Sequence, residues 1–299
     1  MFDLTRLRLL RDLARLRTMT AVAQAHRLTS SAVSQQLATL QREARTTLFE
    51  QVGRRVRLTG DGERLAAHAD AILQAVEAAA LDLRGAAQSP QGELRVACFA
   101  SYAKHHLLPA IARLRQRHPA LRVALRELEP PDALDAVRDG RCDLAFGFAY
   151  SLVPRPPVPG LDVRTVFEEP VWLALPPSWR RRRGAVALQE LAEAEWIVGS
   201  RQSDDGLLAE RACAAAGFAP RIGHTVDDYD LMLRMVAAGL GVGFVPQLAL
   251  EQSRVDGVAV RSPAGAALSR RVQASTRPAL AASPNLRALL AELGAAPIE

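Results

Sequence analysis

The sequence predicts a multi-domain α+β chain: an arginine-rich helical module with a short hairpin, one long helix, then an alternating α/β region. Three observations carry that expectation. Residues 18–59 hold two short helical patterns, a tight connection and a basic hairpin. From Leu65 to Leu83, apolar residues alternate at spacings of four and three. From Glu93 the texture changes to short β-type runs alternating with amphipathic helices, the pattern of a parallel sheet covered by helices. With 299 residues and 49% hydrophobic content, the chain can bury sizeable cores in two or more domains.

Taken in order, Leu4, Leu7, Leu10 and Leu13 mark an opening helix that braces the two short helices after it. Thr20 and Thr29 are expected N-caps, because a side-chain oxygen there can accept from the orphan amides of a first turn. Small Ala21, Ala23 and Ala25 let the first short helix approach its partner closely. In the second, Val33, Leu37 and Leu40 form an apolar stripe. Ser31, Ser34, Gln35, Ala38 and Arg42 fall on the opposite face, hydrogen-bonding near its start and cationic at its end. A helix-turn-helix needs this arrangement to read double-stranded DNA, with the start of its second helix on base edges and its flanks on phosphate.

Charge points the same way. Residues 1–60 hold eleven arginines against Asp3, Asp12, Glu43 and Glu50, so 11 − 4 = +7, while the whole chain carries +6. The excess is confined to the candidate DNA-reading module, as phosphate binding requires. Lys104 is the only lysine.

The stretches SAVSQQLATLQRE, TTLFEQ and GRRVRLTGDGERL resemble the N-terminal signature of LysR-type transcriptional regulators, from Leu4 to about Leu83. The resemblance implies a winged helix-turn-helix over residues 1–60 and a linker helix for dimerisation over 61–88. It also implies Ser31, Ser34 and Gln35 in the major groove and Arg54 or Arg55, at the wing tip, in the minor groove. With Thr29, Ser30 and Arg42 these make up the expected DNA contacts. The pattern departs from the family at His26, usually apolar, at Ser30-Ser31 for Gln-Pro, at Ala44-Arg45 for Leu-Gly, and at Gln51 for Arg.

In the long helix, Leu65, Ala69, Ile72, Val76, Ala79 and Leu83 keep a 3.5-residue period, the seam of a coiled coil. The expected dimerisation residues are Leu65, Ala69, Ile72, Val76 and Leu83. A homodimer also accounts for a reading helix too small to be selective alone. Residues 85–92, GAAQSPQG, form a hinge.

Beyond it, Leu94–Phe99 reads as a strand, and Leu107, Leu108, Ile111 and Leu114 as one helical face closed by His118-Pro119. Val123–Leu128 and Asp143–Phe148 read as strands around a helix Asp132–Asp139 that Gly140 stops. The proline-rich 151–160 breaks regular structure. Val171–Leu175, Trp196–Gly199, Val242–Val245 and Val272–Ser275 read as further strands, with helices at Leu207–Ala216, Tyr229–Ala238 and after Ser283-Pro284. By the same resemblance, 93–299 is an effector-binding domain of two α/β lobes joined by crossover strands and similar to periplasmic binding proteins. Lobe I would take 93–162 and 268–299, lobe II 163–267.

Ligands of open α/β sheets bind beyond the carboxyl ends of the strands. Three such ends stand out: Ala100, Ser101 and Tyr102; Gly199, Ser200 and Arg201; and Thr225 and Asp227. Ser101 could hold an anion and Arg201 pair with a carboxylate, so a small carboxylate is expected over a cation as effector. Ser101 and Asp228 also fit as helix caps.

Other features carry less. Cys98, Cys142 and Cys213 give neither a disulfide framework nor a zinc site. His105 and His106 diverge on one helix. Arg180–Arg183 reads as a solvated loop. No phosphate loop, nucleophile elbow or metal cluster is present, so no cofactor, no metal and no enzyme activity are expected. Nothing approaches a transmembrane run or a signal segment, which predicts a cytoplasmic protein without a membrane partner. The expected function is a ligand-responsive, sequence-specific DNA-binding transcription regulator, a homodimer and by family analogy a tetramer. Its rivals are a ligand-independent architectural DNA binder and a cytoplasmic solute-binding protein.

Overall fold

The computed structural model describes residues 1–299 except 53–54, 85–88, 157, 201–203, 254, 266 and 296–299. Side chains at 51–52, 55, 74, 77–78, 80–84 and 252 also lie outside the description. The chain forms two compact units, Met1–Ala86 and Ala87–Glu299.

The first unit contains α1 Leu4–Leu16, α2 Met19–His26, α3 Ser30–Ala44, a hairpin of β1 Phe49–Val52 and β2 Arg55–Leu58, and α4 Gly60–Arg84. Asp3 caps α1 by accepting from the Thr5 and Arg6 amides. Thr29 caps α3 through the Ala32 amide at 3.2 Å, as expected. Thr20 does not cap α2; Thr18 does, accepting from Ala21 at 3.2 Å. The helix starts two residues earlier than the sequence suggests because Arg17 turns left-handed after α1 and leaves Thr18 extended. Leu7, Leu9, Leu10, Leu13, Val22, Val33, Leu37, Leu40 and Leu48 fill one core. Gly62 is required where it stands, since a Cβ there would lie 1.9 Å from the Leu48 carbonyl oxygen.

The linker-helix seam divides. Ala66 and Ala69 are buried in this unit's own core and Leu65 packs against it, because small residues let α1 lie close along α4. Ala69 is therefore corrected from a dimer contact to a core residue. Ile72 and Val76 stand 38% and 39% exposed. The Leu83 side chain lies outside the described residues.

The second unit begins with β3 Gly92–Cys98. A helical run comes next, in which α5 Ala100–Tyr102 passes through a π-helical turn, Ala103–Leu107, into α6 Leu108–Arg117. Then come β4 Leu121–Glu127, α7 Pro130–Arg138, β5 Leu144–Tyr150, β6 Asp162–Leu175, β7 Glu195–Val198, α8 Asp205–Ala215, β8 Arg221–Thr225 and α9 Tyr229–Ala237. The unit closes with β9 Gly243–Pro246, α10 Gln247–Gln252, β10 Ala259–Arg261, β11 Ser269–Thr276, α11 Pro278–Ala281 and α12 Pro284–Glu292.

The expected parallel sheet is corrected to a mixed one. β3, β4 and β5 pair in parallel, and so do β7 and β8 apart from them. β11, however, lies antiparallel between β5 and β6. β6 is a 14-residue strand of which only the apolar second half was legible as a strand. It pairs with β11 as far as Pro170 and with β9 from Val171. This hand-over falls at a residue with no N–H to give. Leu108, expected inward, is exposed, while Leu107 and Leu114 are buried. The π turn shifts the phase of the helix just before Leu108.

Three helices of the first unit end on arginine in the left-handed region: Arg17, Arg27 and Arg45, at φ 61, 55 and 53. Such a conformation strains any residue with a Cβ. Arg45→Gly should therefore stabilise the chain by about 1 kcal/mol. Thermal unfolding measures it; an unchanged or lower midpoint would mean the arginine's own contacts offset the strain.

Candidate functional site

The first unit presents a polar face on α3. Val33, Leu37 and Leu40 are fully buried, and by the helical period Thr29, Ser30, Ser31, Ser34, Gln35 and Arg42 are left exposed. The Thr29 and Ser31 hydroxyls lie 3.0 Å apart, and Arg42 donates to Thr39 at 2.8 Å. Gln41 fixes the hairpin to α3 by accepting from the Leu48 and Phe49 amides at 2.8 and 3.2 Å. Arg6 on α1 braces the rear through Gln36 and Glu43. Arg55 opens β2 opposite Val52, but its side chain and all of Arg54 lie outside the described residues.

In the second unit a buried polar network gathers where β6 and β11 pair, Arg270 opposite Glu169. Arg270 on β11 is 1% exposed. Its Nε donates to Glu169 Oε1 at 2.8 Å and its Nη2 to the Ser101 hydroxyl at 2.9 Å. Its guanidinium stands 5.0 and 5.1 Å from the Phe99 and Phe148 rings. Burial works against its charge, yet Glu169 holds the guanidinium above its ordinary range. The second Glu169 oxygen accepts from the Leu248 amide at 2.7 Å, in the first turn of α10.

Beside this pair, Asp205 at the start of α8 accepts from two tyrosines. The Tyr150 hydroxyl, at the end of β5, donates to Oδ1, and the Tyr229 hydroxyl, opening α9, donates to Oδ2 at 3.0 Å. The two hydroxyls are 3.2 Å apart. Burial pushes the Asp205 carboxyl up to about 6 against the pull of both tyrosines and Arg270. Glu129, before α7, is raised to about 7, first by burial and then by the charges of Asp205 and Asp227. Of the chain's three tyrosines, Tyr150 ends β5 and Tyr229 opens α9, while Tyr102 closes the short α5.

The expected ligand residues fare unevenly. Ser101 is no cap; it is buried and serves Arg270. Tyr102 is a core ring, 4.8 Å from His106, stacked on it, and 5.1 Å from Phe146. Ala100 opens α5. The Ser200 amide donates to Asp227 Oδ1 at 2.6 Å, which joins two of the three expected strand ends. Gly199 is buried and Thr225 exposed. Asp228 caps α9 through the Leu231 amide at 2.8 Å. Arg201 lies outside the described residues. Sequence reasoning missed Arg270, Glu169, Asp205, Tyr150, Tyr229 and Glu129. The one available signal was tyrosine at two element ends.

Both raised carboxyls bind protons more tightly folded than unfolded, where 3.8 and 4.5 are ordinary. Their contribution to stability is therefore complete below about 4, and it is lost as pH climbs through about 6 to 7. The unfolding midpoint should fall across that window, and Glu129→Gln should flatten its upper part. A midpoint that rises between pH 5 and 7.5, or an unaltered slope in the variant, would contradict the assignment.

Two family models match the chain. The bacterial regulatory helix-turn-helix protein, lysR family, covers residues 4–63, and the LysR substrate binding domain covers 87–297. The chain is 27% identical over 231 residues to the HTH-type transcriptional regulator AlsR of Bacillus subtilis (strain 168), spanning 74% of this chain and 72% of that protein. It is 28% identical over 227 residues to the transcriptional activator IlvY of Salmonella typhimurium, 73% of each. Among solved structures, a full-length OxyR variant from Pseudomonas aeruginosa matches with TM-score 0.63 at 20% identity, covering 98% of this chain and 95% of that one. Full-length CbnR in complex with its target DNA matches with TM-score 0.54 at 21% identity, covering 98% and 99%. At such identities the solved structures speak for the fold alone. Matched by family models across both of its units, the chain belongs to the LysR family of helix-turn-helix transcriptional regulators.

Proposed function

We propose that this regulator reads an operator with α3, dimerises through the exposed part of α4, and responds to a small molecule bound between the lobes of its second unit. The observation that carries the reading is α3 itself: a fully buried Val33–Leu37–Leu40 stripe behind exposed Ser31, Ser34 and Gln35. Gln35 meets a base edge, Ser31 and Ser34 line the groove, and Arg42 with Arg54 or Arg55 contacts phosphate or the minor groove. The effector occupies the space beside Tyr150, Asp205, Tyr229 and Glu129, where elements of both lobes converge. Ala100, Gly199, Ser200, Thr225 and Asp227 stand at the strand ends around it. Glu129, Asp205 and Asp227 are acids, so they favour an amine; a carboxylate effector would depend on Arg201. Effector binding favours one lobe arrangement, which changes how paired DNA-binding modules space their half-sites. On this reading the protein is a cytoplasmic regulator rather than an enzyme, a homodimer that assembles further through its effector domains. Among the described residues no helix is long and apolar enough to cross a membrane.

Two experiments test it. Gln35→Ala should cost about 1–3 kcal/mol on the specific site and relax preference at one base position. Binding titrations across single-base operator variants would read this, and an unchanged profile would remove Gln35 from the interface. Placing Asp at both Ile72 and Val76 should bury like charges across the dimer seam, each costing several kcal/mol. Sedimentation of the full chain should then show a smaller assembly than the parent, whereas equal assemblies would mean that α4 is not the seam.

A further inference from the structure

Within the first unit, one polar cluster lies where apolar packing is the rule. On α2 the inward positions are Val22 and Ala23, both buried. His26 lies four residues after Val22 and three after Ala23, so it faces the same way, toward α1. There it meets Asp12, which is 5% exposed among Leu9, Leu10 and Leu13. His26 Nε2 donates to Asp12 Oδ2 at 2.6 Å, and Arg11 Nε donates to Oδ1 at 3.0 Å. The same Arg11 nitrogen stands 3.7 Å from Asp70 on α4. A polar line thus runs from the linker helix through α1 to the last residue of α2.

The turn after His26 has no slack. Arg27 is left-handed, and its amide returns to the Ala23 and Gln24 carbonyls. The Leu28 amide bonds the Ala23 carbonyl at 2.8 Å, and Thr29 already caps α3. Two residues therefore separate His26 from the cap of the helix whose first turns carry Ser31, Ser34 and Gln35. Arg6 on α1 also ties to α3, at Gln36 and Glu43, which follow those residues in the chain. Apolar contacts tolerate small slides between packed helices, whereas a charge-assisted hydrogen bond to a buried carboxylate fixes distance and direction.

We infer that His26, held by Asp12, is a positioning residue for DNA reading: it fixes the angle at which α3 leaves the turn, and through Arg11 it ties that angle to the linker helix. The inference rests on the assignment of base contacts to α3.

The test uses the full chain and a randomised duplex DNA pool, with the selected base motif and the unfolding midpoint read for each variant. His26→Leu combined with Asp12→Leu replaces the pair by an apolar contact. It should keep a midpoint near the parent's while its specific-to-non-specific affinity ratio falls by about an order of magnitude, the size of one misplaced base contact. His26→Gln keeps a donor of similar reach and should retain the parent motif. A double variant with parental stability and the parental motif overturns the proposal, because the pair would then only stabilise. If the double variant unfolds early, the single variants decide at a temperature where both are folded. A motif kept by His26→Gln and flattened by His26→Leu supports positioning, and the same motif in both overturns it. Gln35→Ala run in parallel separates the two assignments. A motif sensitive to His26→Leu but not to Gln35→Ala faults the contacts assigned to α3, and the reverse pattern faults His26.

Discussion

The buried guanidinium of Arg270 organises the effector-binding unit. Taking such a charge out of solvent costs several kcal/mol unless geometry and hydrogen bonds offset it. Arg270 has both: Glu169 from β6, Ser101 from α5, and the faces of Phe99 and Phe148. The partners come from β6, β5 and the start of α5, so satisfying one charge fixes the mutual placement of several elements. Glu169 extends the constraint by holding the start of α10 through the Leu248 amide. It also sits next to Pro170, where β6 changes sheet partners. The change of partners is thereby held beside a residue with no N–H to give.

Because Arg270 and Glu169 neutralise each other, the acids beside them set the local balance of charge. Asp205 and Glu129 are both raised by burial, and the field of Arg270 lowers both. The two tyrosines supply donors to Asp205 without supplying charge. A carboxyl raised in this way is easier to protonate than a free one and is sensitive to any new donor or cation placed near it. A neutral, well-satisfied site would not be.

How much of this was legible depends on how far apart in sequence the partners are. The stripe and exposed face of α3 are local, set by helical period, and Val33, Leu37, Leu40, Ser34 and Gln35 are placed by the structure as that period requires. Thr18 was missed in favour of Thr20 because the left-handed turn at Arg17 has no glycine to announce it. Ala69 fits a seam and a core equally well by spacing, and only the presence of α1 decides between them. Leu108 was misread because a π turn has no residue signature. The functional network was the least legible part. Arg270 meets Glu169 across 101 positions and Tyr150 meets Asp205 across 55. Neither spacing carries a period, and the half of β6 that leads to Glu169 mixes charged and apolar residues without a clean alternation.

The size of the Tyr150–Asp205–Tyr229 bridge bears on whether it can take part in a switch. A ligand shifts a conformational equilibrium only by the difference in its free energy between the two states. Moving a population from 1:99 to 99:1 takes about 5.5 kcal/mol. Hydrogen bonds to a charged group contribute about 1.5–3 kcal/mol each, and Asp205 accepts two from residues on different elements. Tyr150 belongs to β5 and Tyr229 to α9, so the pair of bonds exists only while those elements are close. An effector that replaced both hydroxyls at Asp205 would therefore exchange a quantity of free energy comparable with the whole switch. One that bound elsewhere in the cleft would have to supply that difference from new contacts alone.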